Sequence, residues 1–195
     1  GKAALSPMLA TLINAPFDDP DWIFETKWDG YRIIARIDDG KVSLLSRRGK
    51  DVTRDYPRIA VALARLRRAR QAAIDGELVA LDKRGRSRFQ LLQNAGNTPT
   101  RLVYYVFDLL FHNGRDLRRL PLVERKRRLK AILGPGRAIR YSRHVRRTGK
   151  AAFRNARRRG YEGIMAKRAE GPYASGRRTR EWLKNNYLYR MAAPI

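Results

Sequence analysis

At 195 residues the chain has room for one domain with a real core, and 43% hydrophobic residues, among them three Trp, nine Tyr and six Phe, exclude a disordered chain. Forty-four basic residues against 18 acidic ones leave a net charge of +26, so nucleic acid is the expected partner, because each phosphate contacted releases condensed counterions. The lack of Cys excludes disulfides and thiolate metal sites, two His are too few for a histidine-rich cluster, and neither an 18-residue apolar run nor a basic amphipathic anchor marks a membrane protein.

Residues 1–20 hold three Pro and an Asp-Asp-Pro turn and read as an extended arm that wraps the domain. Trp22 to Lys27, Tyr31 to Asp38 and Lys41 to Arg47 read as three strands of one antiparallel meander, with Asp39-Gly40 as a hairpin turn and Lys27 at a corner. Pro57 to Ala69 has Ile59, Leu63 and Leu66 at helical spacing; Arg65, Arg67, Arg68 and Arg70 at its end suit the helix dipole or a DNA backbone. Ala73 to Leu81 is a strand and Phe89 to Asn94 a short helix. The run Leu102 to Phe111, rich in β-branched and aromatic residues, is a central strand with Asp108 inside it. Pro121 opens a helix to about Leu133 that Gly134-Pro135-Gly136 ends. Ala138 to Tyr141 is a strand, Gly149 to Arg159 a very basic helix, Gly163 to Arg168 a strand, 170–181 a Gly/Arg-rich loop, and Trp182 to Tyr189 the last strand. Hairpins mixed with separated helices predict an α+β domain over 21–190, with 191–195 as a tail.

The stretch that organises the rest is Glu25-Thr26-Lys27-Trp28-Asp29-Gly30-Tyr31-Arg32. A lysine nucleophile must overcome a pKa near 10.4, which leaves well under about 1% neutral at pH 7. Burial, a neighbouring cation or a nearby divalent metal lowers that value. A lysine that used ATP would also need carboxylates for Mg²⁺, cations for phosphates and an aromatic face for the base.

Such groups occur in an order that resembles one family. Lys27-x-Asp29-Gly30-x-Arg32 resembles the nucleophile motif of covalent nucleotidyltransferases, namely ATP-dependent DNA ligases, RNA ligases and mRNA capping enzymes. Ser46-Arg47-Arg48-Gly49, Asp75-Gly76-Glu77-Leu78-Val79, Tyr104 to Leu110, Glu162-Gly163-Ile164-Met165-Ala166-Lys167-Arg168 and Trp182-Leu183-Lys184 are similar to the later motifs, in the same order. Pro7 to Ala10, Phe17 to Pro20 and Leu120 to Arg125 resemble more narrowly the adenylation domain of bacterial ligase D, an end-joining ligase that works with Ku. The resemblance implies antiparallel β-sheets flanked by helices in an ATP-grasp-like nucleotidyltransferase fold, with ATP and Mg²⁺ as cofactors.

It further implies that Lys27 attacks the ATP α-phosphate and that Lys167 and Lys184 stabilise charge on it. Glu25 sits near the adenine amino group or is a surface strand glutamate; Arg32 and Glu77 hold the ribose. Phe107 stacks on the base or is a core aromatic, and Met165 covers the other face or is a core Met. Glu162, with Glu77 or Asp29, faces Mg²⁺. Arg47 and Arg48, Arg177 and Arg178, and the helix Ala151–Arg159 track the DNA backbone or are solvated charge. Two departures stand out: Asn186 occupies a position where the family has a second lysine, and the chain stops at Ile195, where ligases continue into an OB-fold domain. The expected function is therefore a DNA ligase adenylation domain without an OB fold, acting as a monomer in the cytoplasm on nicked or broken DNA. The alternatives are a catalytically weakened DNA-end-binding module and an RNA ligase or capping-type transferase.

Overall fold

The alternation of β3 (Tyr31–Asp38) divides the molecule into layers. Ile33, Ala35 and Ile37 pack with Ile59 and Leu63 of α1 (Pro57–Ala64) and with Leu129 and Ile132 of α3 (Leu122–Ile132). Ile34 faces the opposite way, among Met8, Phe107, Leu110, Tyr173 and Trp182. In the computed structural model, which describes residues 5–93 and 101–187, this second face is covered by another sheet. The six-stranded sheet runs in the order β4 (Lys41–Ser46), β3, β5 (Gln71–Leu81), β6 (Arg101–His112), β7 (Arg115–Asp116), with β8 (Ile139–Tyr141) parallel to the start of β6. The five-stranded sheet runs β1 (Leu9–Leu12), β11 (Arg178–Asn186), β10 (Gly163–Arg168), β2 (Asp19–Thr26), β9 (His144–Arg147). Its outer face carries α4 (Gly149–Arg158), which buries Phe153 and Ala156 against Phe24 and Ile164. A short α2 (Phe89–Gln93) packs on β5. The expected α+β class holds, although β1 pairs with β11 in parallel, so the N-terminal arm belongs to a sheet.

The three-stranded meander does not form. Only β3 and β4 pair, through Asp39 and Gly40 at φ 49° and 83°, as a two-residue turn of that handedness requires. Strand β2 pairs with β10 and β9 instead, and Lys27 to Gly30 is a strap from one sheet to the other. The Lys27 N–H donates to Gly163 O at 3.0 Å, while Tyr31 already pairs with Leu78. A Cβ on Gly30 would lie 2.0 Å from Leu78 O, so glycine is required there by close approach and not by a turn.

Helix α1 also stops early, at Ala64, and none of the four arginines lies in its last turn. The chain turns so that Ala69 enters the core and Arg70 reaches Asp39; those tertiary contacts outweigh the helical spacing. Strands β7 and β9 were not expected. Asn94, Leu188 and Tyr189, and the tail 191–195, fall outside the described residues. Among the described residues no helix is long and apolar enough to cross a membrane.

Helix α3 is tied to β6 by charge. Arg125, fully buried, donates from Nε to Asp108 Oδ1 (2.8 Å), from Nη2 to Oδ2 (3.0 Å), and from Nη1 to Gly171 O (2.9 Å). Removing one member of such a pair strands a charge in the interior. Asp108→Ala is expected to lose about 3–5 kcal/mol of stability, read as a fall in the urea midpoint with little change in slope.

Candidate active site

A cavity of about 380 Å³ lies between the sheets at the strap. Sheet register assembles one wall. Met165 of β10 has Glu25 of β2 and Lys184 of β11 as its two Cα partners, so the three form a row on one face; Lys167 and Trp182 form the next. The other wall comes from β3 and β5, where Arg32 and Glu77 are directly paired, and from Phe107. Phe107 points inward by alternation, since Tyr104 and Val106 face the helix side, and β6 is irregular beside it: Asp75 pairs with Asp108 and Gly76 with Val106, which leaves Phe107 without a partner on β5. Gly76 fits this irregularity, since a Cβ there would sit 2.5 Å from Tyr105 O.

Lys27 Nζ lies 2.8 Å from Glu162 Oε1, with 18% and 27% of the two side chains exposed. Burial, followed by Asp75 and Glu162 nearby, pushes the Glu77 carboxyl up from 4.5 to about 7, against the pull of Arg32 and Lys27. Lys184 is lowered by partial burial and by Arg178, Lys27 and Arg47 around it; these cations face one another at the mouth of the cavity with few carboxylates among them. That arrangement attracts a multiply charged anion.

The inner end is fully ionic. Glu25 is 3% exposed, which rules out the surface glutamate reading; its Oε1 accepts from Lys126 Nζ at 3.0 Å, and its Oε2 lies 2.7 Å from Lys167 Nζ. Burial alone would raise Glu25, but Lys126 and Lys167 outweigh it and hold the carboxyl at about 2. Arg32 is clamped by Asp75, with both contacts at 2.6 Å, and it also donates to Met8 O. Tyr173 OH donates to Asp75 Oδ2 at 2.6 Å.

Twelve of the residues singled out from sequence line this cavity: Glu25, Lys27, Asp29, Arg32, Arg47, Glu77, Phe107, Glu162, Met165, Lys167, Arg178 and Lys184. Arg48 and Arg177 do not; both are exposed outside it. Lys167 is found with Glu25 and over the Phe107 ring, 4.0 Å from its centroid. Asp29 is turned toward α2, where its Oδ2 accepts from the Phe89 N–H at 3.3 Å, and among the described residues no three His, Asp or Glu side chains gather as a cation site. Phe107 is 7% exposed in the inter-sheet core and is also part of the cavity wall.

Sequence reasoning gave no role to Lys126, Asp75, Tyr173 or Trp182. The signal for Lys126 is its spacing: it falls four residues after Leu122 and three before Leu129, on the apolar stripe of α3.

A cavity with a buried acceptor at its inner end, an aromatic wall and an amine among cations at its mouth has the shape and charge to take a nucleotide, and its frame is that of the nucleotidyltransferases. The chain belongs to the ATP dependent DNA ligase domain family, whose model matches residues 7–185. It is 41% identical over 185 residues to the multifunctional non-homologous end joining protein LigD of Pseudomonas aeruginosa (92% of this chain, 22% of that protein). It is 39% identical over 184 residues to the protein of the same name from Mycobacterium bovis (94% and 24%), so it spans about a quarter of the length of these curated relatives. The SPbeta prophage-derived DNA ligase-like protein LigB of Bacillus subtilis is 31% identical over 189 residues, covering 95% of this chain and 68% of that protein. Mycobacterial DNA ligase D complexed with ATP and MES superposes with a TM-score of 0.83 at 36% identity, covering 94% of this chain and 60% of that one.

Glu77 yields a pH test. Its folded value lies above its ordinary 4.5, so its contribution to stability is complete below pH 4.5 and is lost as the pH rises through 7. Relative to Glu77→Gln, the unsubstituted chain is expected to lose about 2–3 kcal/mol between pH 4.5 and 8, measured by chemical unfolding without nucleotide or metal.

Proposed function

We propose that this chain is the adenylation domain of an ATP-dependent DNA ligase of the end-joining type, which forms a lysyl-AMP on Lys27 and seals nicks or breaks in double-stranded DNA. The observation that carries the reading is Lys27 Nζ held 2.8 Å from Glu162 inside a nucleotide-sized cavity, with Lys184, Arg47 and Arg178 at its mouth. Nζ must give up a proton before it attacks, and Glu162 Oε1 is placed to take it. The N–P bond to the α-phosphorus forms as the bond to pyrophosphate breaks, and the pyrophosphate leaves toward the cations at the mouth. AMP then passes to a 5′-phosphate, and a 3′-hydroxyl attacks that phosphate and releases AMP.

Glu25 offers the adenine amino group an acceptor, Phe107 and Met165 enclose the base, and Glu77 beside the clamped Arg32 faces the ribose. Glu162 and Glu77 would hold Mg²⁺: both donors are hard oxygens, and the closeness of Glu162 to Glu77, which helps keep Glu77 protonated near pH 7, is relieved by a cation. When bound there, the ion would offset negative charge on the phosphates. Asp29, already engaged with the Phe89 N–H, is the least free of the three carboxylates.

Arg47, Arg48, Arg177, Arg178 and the basic face of α4 supply phosphate contacts to DNA, consistent with +26 overall. A monomer acting in the bacterial nucleoid, with Ku as a partner at broken ends, completes the reading. The match to a DNA ligase family favours DNA over the capping-type alternative. A weakened end-binding module remains the second reading, because Asn186 carries no charge and its Oδ1 is buried without a hydrogen-bond partner.

Incubation with α-labelled ATP and Mg²⁺ should leave acid-labile label on the protein, and Lys27→Ala should reduce it at least about a thousandfold. Label that persists in Lys27→Ala would overturn the nucleophile assignment. Sealing of pre-adenylated nicked DNA by a chain that takes no label would place the defect in the first step, where Asn186 lacks a charge; DNA binding with neither label nor sealing is the outcome of the second reading. DNA binding should weaken by at least about tenfold between 50 and 200 mM salt, read by fluorescence anisotropy; near-constant affinity would count against phosphate-dominated recognition.

A further inference from the structure

The acceptor at the inner end of the cavity is held from behind. Lys126 is wholly buried, and its ammonium donates to Glu25 Oε1 and to Ser142 O, both at 3.0 Å, while lying 4.7 Å from the Tyr141 ring centroid. It comes from α3, and it is absent from the cavity wall. Lys167 approaches the same carboxylate from the cavity side, 4.0 Å from the Phe107 centroid and 4.3 Å from that of Trp182. Its ammonium lies 2.7 Å from Glu25 Oε2, so each carboxylate oxygen faces one lysine. A carboxylate has about four acceptor sites on its two oxygens, so this one, next to an aromatic face, keeps accepting capacity beyond the two lysines.

We propose that Lys126 is a positioning residue that fixes the Glu25 carboxylate in its ionised form, so that the cavity selects a nucleobase presenting an amino group, and not a carbonyl oxygen, at that edge. The proposal rests on the nucleotide-binding reading above. An ionised carboxylate only accepts hydrogen bonds, whereas a protonated one could donate to a carbonyl. A base with a carbonyl at that edge sets two acceptors against each other where water is excluded, and both lose their partners. Lys167 cannot secure this alone, because its ammonium lies over the ring against which a base would stack. Lys126 stays outside the ligand's reach and holds Glu25 whatever Lys167 does.

The test measures equilibrium binding by calorimetry in the full chain carrying Lys27→Ala, so that no covalent step intervenes. The probes are ATP, GTP and purine riboside triphosphate, which has neither the amino group nor the carbonyl. ATP is expected to bind at least about a hundredfold more tightly than GTP, with the purine riboside between them. Lys126→Met should reduce that preference to within about tenfold, and the reduction should vanish when Glu25→Gln is already present. An unchanged preference in Lys126→Met, or an equal shift with and without Glu25→Gln, overturns the proposal, as does purine riboside triphosphate binding as tightly as ATP. If Lys126→Met does not fold, Lys126→Gln, which can still donate to Glu25 without the charge, is read in the same way. Selective ATP binding in a protein that takes no label from α-labelled ATP would defeat the proposed function and leave this inference standing. Labelling with an unaltered preference in the Lys126 variants would defeat the inference alone, and no ATP binding at all would defeat both.

Discussion

Three carboxylates, Glu25, Asp75 and Asp108, are buried where the two sheets and α3 meet, and each is neutralised by cations from distant parts of the chain. Lys126 and Lys167 reach Glu25 across 101 and 142 positions of sequence, Arg32 reaches Asp75 across 43, and Arg125 reaches Asp108 across 17. A lone carboxylate in such surroundings costs several kcal/mol, so an assembly in which any one partner is missing is strongly disfavoured. The inter-sheet space is thereby specified by charge as well as by packing, and the cavity inherits that rigidity.

Rigidity at the inner end contrasts with incomplete compensation at the mouth. Glu25 and Arg32 are held by two or more partners each, whereas Lys184, Arg47 and Arg178 crowd one another, and Glu77 is pushed toward neutrality. The fixed groups surround the aromatic residues Phe107 and Trp182; the unbalanced ones surround Lys27. One end thus presents a shaped, dry acceptor and the other a surplus of positive charge, as a ligand with a planar ring at one end and phosphates at the other demands. Within the second zone Glu162 pairs with Lys27.

Much of this was legible in the residues. Tyr31–Asp38 and Gly163–Arg168 form strands at the expected bounds, and the lysine motif with the carboxylates and cations downstream leads to side chains that do line one cavity. Where expectation failed, long-range contacts had overridden a local signal. The Asp29-Gly30 pair looked like a turn inside a meander, but the glycine is needed because Leu78 O comes too close for a Cβ. The four arginines after α1 looked like a helix end, but the chain must deliver Ala69 to the core. Lys167, given to phosphate by resemblance, lies opposite Ile23 in the register of β10, lines the cavity and reaches the diagonal Glu25 with its ammonium.

The sequence by itself determined that the chain is a basic α+β domain with a lysine-centred set of polar residues, because alternation, helical spacing, composition and motif order are local properties. Only the tertiary structure decided which sheet each strand joins, where the register of β6 shifts beside Phe107, and that Lys126 on an apolar stripe neutralises Glu25. Those outcomes depend on contacts between residues far apart in the chain, and on the cost of burying a charge without a partner, neither of which leaves a mark in any short stretch of residues. For Lys27 the division is sharpest: the motif marks the residue, but the crossing between two sheets gives it a cavity, a carboxylate at 2.8 Å and a ring of cations.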